Sequence, residues 1–147
     1  MRLLHVSLTA RDARALAQFY RCVFDLTLLR PPREMSGPEI GESVGLPGAA
    51  FLSIWLGAQD QAAPFLEIIE YRTPTAPEPQ GALPLNTPGR GHVAVAVADL
   101  EGTLARVLRH GGSAVGPVTT LGDDAARCRL VMIRDPEGNV VELEARG

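Results

Sequence analysis

The 147-residue chain is poor in several things, and each shortage narrows what it can be. It has two cysteines, Cys22 and Cys128, far apart and in apolar surroundings. They form no paired metal motif, so each reads as a buried thiol rather than a ligand. Charge of one sign is also lacking: 14 Lys plus Arg stand against 17 Asp plus Glu, a net charge of -3. No strong basic field is available for nucleic acid. No apolar run approaches the length that spans a bilayer. The start, Met1-Arg2-Leu3-Leu4-His5, lacks the apolar core and small-residue cleavage site of a secretory signal. These absences lead to the expectation of a soluble, cytoplasmic protein that engages neither nucleic acid nor membrane.

Apolar residues, in contrast, are plentiful at 46%, enough to bury a core in one ordinary domain or in two small units. Residues 3–9 alternate, with His5, Ser7 and Thr9 on one face and Leu4, Val6 and Leu8 on the other, which is a half-buried strand pattern. Asp12 is placed to cap a helix whose Ala13, Leu16, Phe19, Tyr20 and Val23 recur at helical spacing. Strands follow at Leu26–Leu29, Ala50–Leu56 and Phe65–Tyr71. The Gly- and Pro-rich residues 33–48 read as a loop or lid, and the connection from Gly57 to Pro64 as a turn region.

After the Pro-rich stretch Thr73–Pro88 the order recurs. Gly91–Val97 is predicted as a strand, Asp99–His110 as a helix stopped at Gly111-Gly112, and Ser113–Val118, Arg127–Ile133 and Val140–Glu144 as strands. Asp135-Pro136-Glu137-Gly138-Asn139 is a strong turn signal between the last two. Seven positions separate His5 from Asp12, and seven separate His92 from Asp99. The longer loop at 33–48 absorbs the remaining difference in spacing. The expectation is an α+β chain of two tandem βαβββ modules, with module one at 1–72, a linker at 73–90 and module two at 91–147.

Duplication supplies two histidines and two strand glutamates at corresponding positions: His5 with Glu67, and His92 with Glu142. Ser7 and Thr9, or Ala94 and Ala96, share the histidine faces and leave room for a cavity. Glu67 shares its face with Phe65, Ile69 and Tyr71, while Glu70 lies on the other. Taken singly, each histidine is equally compatible with a hydrogen bond inside the core. Glu67 is equally compatible with a sheet edge or with pairing to Arg2 or Arg129, and Glu144 replaces Glu142 if the register slips by two. Taken together, the four make an N2O2 donor set for one divalent ion, Zn, Ni, Co, Mn or Fe. An ion with open positions binds a chelating substrate and stabilises an enediolate while a glutamate or bound hydroxide acts as base.

The whole chain resembles the vicinal oxygen chelate superfamily, which includes glyoxalase I, methylmalonyl-CoA epimerase, extradiol dioxygenases and the bleomycin and fosfomycin resistance proteins. The resemblance rests on Leu3-Leu4-His5-Val6, Phe19-Tyr20, Phe65-Leu66-Glu67-Ile68, Gly91-His92-Val93-Ala94-Val95 and Asp135-Pro136-Glu137-Gly138-Asn139-Val140-Val141-Glu142. It implies curved sheets around a metal cleft, with His5, Glu67, His92 and Glu142 at the four ligand positions and Glu67 and Glu142 in proton transfer. The activity implied first is that of a metal-dependent isomerase or lyase of glyoxalase I type, acting on a small chelating substrate such as a thiol adduct. The alternative is a metal-free small-molecule or antibiotic-binding protein.

An epimerase-like assignment is weakened by Glu67, where those enzymes often carry glutamine. Extradiol cleavage is weakened because the third histidine, His110, falls at a helix C-terminus. The resemblance also implies a homodimer. For substrate contacts the candidates are Phe51, Trp55, Tyr71 and Arg129. Trp55 is suited to stacking or to packing, and Arg129 to a substrate carboxylate or an internal acid.

Overall fold

The computed structural model describes residues 1–58, 64–78, 83–122 and 127–146. It divides into two units, Met1–Glu78 and Pro79–Gly147. The connection expected between Gly57 and Pro64 and the expected linker at 73–90 both lie partly outside the described residues.

In the first unit, β1 (His5–Thr9) leads into α1 (Ala13–Phe24), followed by β2 (Thr27–Leu28), β3 (Arg33–Met35), α2 (Pro38–Ser43), β4 (Ala50–Gly57) and β5 (Phe65–Thr73). The sheet runs β1-β5-β4-β2, with β3 also paired to β4. Only the β1–β5 pair is parallel. The Asp12 carboxylate accepts from the first-turn amides of Arg14 and Ala15 at 3.0 and 2.9 Å. Glu70, reaching from β5, accepts from the amide of Ala13 at 2.9 Å. Two carboxylates thus satisfy amides that a helix start leaves open. Leu16, Phe19, Tyr20 and Val23 of α1 are buried, as are Leu52, Ile54, Leu56 and Ile68 on one face of β4 and β5. That apolar layer leaves the opposite face of the sheet to carry polar and aromatic groups.

The second unit repeats the plan with β6 (Val93–Ala96), α3 (Leu100–Arg109), β7 (Ser113–Ala114), β8 (Thr119–Leu121), β9 (Cys128–Arg134) and β10 (Val140–Arg146). Its sheet is ordered β6-β10-β9-β7, with β8 also on β9, and again only the first strand pairs in parallel. Asp99 caps α3 through the Gly102 amide at 2.9 Å. Val107 of α3 and Val131, Ile133, Val141 and Leu143 of the sheet are fully buried. The turn at 135–139 closes on the Asp135 carboxylate, which accepts from the amides of Glu137 and Asn139, both at 2.9 Å. Arg134 and Arg90 both donate to the Gly138 carbonyl, and Arg134 also holds the Leu83 carbonyl at 2.9 Å.

These are two tandem βαβββ modules in which the first of the three later strands is broken into two short pieces. Gly116-Pro117 breaks it in the second unit, so the single strand expected at Ser113–Val118 is not formed. Residues 33–48, expected as a loop or lid, carry β3 and α2 instead. Glycine and proline density misled there, because Pro38 occupies the first turn of α2 and Gly37 its cap. The two cysteines are free and half-buried rather than buried. No described helix is long and apolar enough to cross a membrane.

Residue 41 has no room for a side chain. A Cβ on Gly41 meets the Gly48 nitrogen at 2.8 Å and the Leu46 carbonyl oxygen at 2.9 Å, both backbone. Gly41→Ala therefore lowers stability by about 1–3 kcal/mol through overpacking, against the usual gain for alanine in a helix. Urea unfolding of the two proteins checks this, and an equal or higher midpoint for the variant contradicts it.

Candidate functional site

The parallel pairing of β1 with β5 sets the site in the first unit. Ser7 lies opposite Glu67, and on the other side of β5 Trp55 lies opposite Glu67. Alternation puts His5, Ser7, Ser53, Trp55, Phe65 and Glu67 on the face turned away from α1. The Glu67 side chain is only 13% exposed. A carboxylate so enclosed needs donors, and it has them. Ser53 Oγ donates to Oε1 at 2.6 Å, Trp55 Nε1 to Oε1 at 3.0 Å, and Ser7 Oγ to Oε2 at 2.9 Å, while His5 Nε2 stands 3.5 Å from Oε2. Burial pushes the Glu67 carboxyl up, but the bonds from Ser53, Trp55 and Ser7 and the charge of His5 outweigh it, leaving the group below its ordinary value.

Aromatic rings frame this carboxylate. Trp55 and Phe65 lie 4.3 Å apart between centroids, His5 stacks on Phe65 at 5.1 Å, and Phe51 meets Tyr71 at 5.4 Å. Arg30 closes the network. Its guanidinium carbon sits 3.5 Å over the Trp55 ring, and Nη2 donates to Ser53 Oγ at 3.2 Å. Ser53, 1% exposed, thus accepts from Arg30 and donates its own O–H to Glu67. Arg30 is a site residue that sequence reasoning did not find. It precedes Pro31-Pro32 with no periodicity to mark it, and only the fold brings it onto Trp55.

The second unit carries a plainer version. Ala94 lies opposite Glu142 on one side and Met132 on the other. His92, just ahead of β6, places Nε2 3.0 Å from Glu142 Oε2. The positions of Ser7, Ser53 and Trp55 correspond by register to Ala94, Leu130 and Met132, so the three donors around Glu67 have no counterparts. Glu144 pairs with Arg146 at 3.1 Å, and Glu142 is the one beside the histidine. Arg129 shares its face with the buried Val131 and Ile133 and pairs with Glu101 of α3, away from Glu142. His110 is the C-cap of α3.

The structure therefore resolves the four expected ligands into two His–Glu pairs, one per unit. Among the described residues no group of three or more His, Cys, Asp or Glu could hold a metal ion. Each unit by itself supplies one histidine and one glutamate toward the three or four protein donors that a divalent ion commonly takes.

Paired βαβββ units, each with a histidine beside a glutamate at its parallel strand pair, define a duplicated class of α+β protein. Residues 2–143 match the Glyoxalase/Bleomycin resistance protein/Dioxygenase superfamily, and the chain belongs to it. A glyoxalase family protein from Bacillus cereus has a similar structure, with a TM-score of 0.85 at 23% identity, covering 99% of this chain and 94% of that one. Glyoxalase I from Leishmania major, described as trypanothione-dependent, aligns with a TM-score of 0.62 at 19% identity over 97% of this chain and 85% of its own. Glyoxalase I from Zea mays gives 0.63 at 19% identity, and the chain spans 44% of its length. No curated protein sequence matches the chain. At these identities the structural likeness establishes the fold alone.

A carboxylate held below its ordinary value stabilises the fold above its unfolded value, and that contribution disappears as the pH falls through the folded value. Glu67→Gln, which turns an amide N–H toward donors, should cost about 1–3 kcal/mol at neutral pH. The gap to wild type should close in acid, below the ordinary carboxylate range. Denaturation curves from neutral to acid pH measure it, and a pH-independent gap contradicts the assignment.

Proposed function

We propose that this chain is a small-molecule-binding protein of the superfamily, holding its ligand against the aromatic face of the first unit without a resident metal. The observation that carries this reading is the closed hydrogen-bond shell of Glu67. Three side-chain donors meet Glu67, and its carboxyl is held below its ordinary value, which suits a fixed charge better than a general base. What it does is fix the rotamers of Ser7, Ser53 and Trp55, and a rigid wall of rings is what binds a flat organic molecule with little ordering cost. Trp55, Phe65, Phe51 and Tyr71 supply the apolar contacts. Such a role is akin to the antibiotic-binding side of the superfamily.

A second reading keeps the metal-dependent isomerase or lyase, with His5, Glu67, His92 and Glu142 as ligands and the two glutamates moving protons. It is favoured by the His–Glu pairing at the same register in both units, and by the glyoxalase I names of two structural relatives. Under it, Glu142 is the less encumbered of the two, with His92 beside it where Glu67 has three hydrogen-bond donors. A divalent ion there would act as Lewis acid toward a chelating oxygen.

The chain has one tryptophan, so a single indole N–H resonance reports on Trp55. Titration of chelator-treated protein with the neutral probe 2-naphthamide should shift that resonance saturably. A titration flat with this amide and flat again with 2-naphthoate refutes the binding reading. Mass-spectrometric metal analysis tests the alternative, which requires about one equivalent of metal in the wild type and its loss in Glu142→Gln.

A further inference from the structure

Arg30 is an under-compensated cation. Its guanidinium is stacked on Trp55 and donates to one neutral hydroxyl, Ser53 Oγ. Its Nε is shut from solvent with no acceptor. No carboxylate lies within ion-pair distance of it among the described residues, because Ser53 stands between Arg30 and Glu67 and takes the hydrogen bond on that side. The nearest charge of its own sign is Arg33, which opposes it electrostatically and whose backbone pairs with Ser53. Burial and Arg33 both work against the charge of Arg30, with Glu67 alone supporting it. A partly desolvated guanidinium with so little compensation is stabilised most by an anion arriving from outside.

We propose that Arg30 is a specificity-determining residue that selects ligands bearing a carboxylate on a flat apolar body. This deepens the binding reading above and rests on it. The rings of Trp55 and Phe65 take the apolar body, while the outward edge of the Arg30 guanidinium takes the carboxylate in a fork that a lysine ammonium does not reproduce. The guanidinium plane is fixed before the ligand arrives, by the Trp55 face on one side and Ser53 at its end. Arg33, on β3 and unmatched by any carboxylate within ion-pair distance among the described residues, adds positive potential at the same end of the face. Glu67 does not repel the incoming anion strongly, since its charge is already dispersed over three donors and the neighbouring His5.

The probes are 2-naphthoate and 2-naphthamide, nearly the same shape and differing in charge. Binding is read from the Trp55 indole resonance and independently by calorimetry, in wild type, Arg30→Gln and Arg30→Lys. The wild type should bind the carboxylate at least about tenfold more tightly than the amide. Arg30→Gln should erase that preference, so that the two probes bind the variant equally, and Arg30→Lys should retain only part of it. Equal affinity for the two probes in wild type overturns the proposal, and this arm needs no variant to fold. A preference that persists in Arg30→Gln overturns it as well. If the amide binds and the carboxylate does not, the binding reading stands and the role of Arg30 falls; if neither binds, both fall.

Discussion

A carboxylate on a half-covered sheet face must be met by donors, and the first unit is organised around meeting that demand at Glu67. Three strands contribute: β1 brings His5 and Ser7, β4 brings Ser53 and Trp55, and β5 brings Glu67 itself. The parallel β1–β5 register is what makes it work. A slip of one residue sends Glu67 into the apolar layer under α1, where Ile68 now sits fully buried, and turns the aromatic rings away from one another. Electrostatics and strand register therefore support the same arrangement. Arg30 then extends the network to a cation through Ser53, a hydroxyl with 1% exposure that has both a donor and an acceptor.

Duplication explains why a second His–Glu pair exists, and divergence explains why it is chemically unlike the first. The topology is conserved between the units down to the parallel first strand and the broken second. The side chains around the glutamate are not. Where Glu67 has two hydroxyls and an indole, Glu142 has Ala94, Leu130 and Met132 at the matching positions, with His92 beside it. The same backbone thus presents one carboxylate held by several side chains and one held by a histidine.

Most of the fold is legible in the sequence because the apolar periods are unambiguous where elements are long. Leu16, Phe19, Tyr20 and Val23 mark α1, and the Asp12 and Asp99 caps fall where the histidine spacing puts them. The short pieces are not legible. Arg33–Met35 and Pro38–Ser43 are too brief to carry a period, and their glycines and prolines look like loop residues although Pro38 starts a helix. At the site, strand alternation is enough to put His5 and Glu67 on their common face, and Trp55 with Ser53. Alternation says nothing about cross-strand partners outside the two strands considered. Arg30 is invisible for that reason, and Arg129 turns out to share the α3 side with Val131 and Ile133 because its acid, Glu101, sits on that helix.

A residue type suited to metal ligation is not yet a ligand. Two imidazoles and two carboxylates satisfy the chemical preferences of a divalent ion, but ligation also depends on how the surrounding hydrogen bonds orient each donor. At Glu67, Ser53 and Trp55 share Oε1 and Ser7 meets Oε2, one of the three bonds at 2.6 Å, so the orientation of the carboxylate is fixed by three side chains from two neighbouring strands. A rigid aromatic wall with a fixed cation at one end keeps its shape only while the carboxylate beneath it stays in place, so the hydrogen bonds that hold Glu67 also hold the rings and, through Ser53, Arg30.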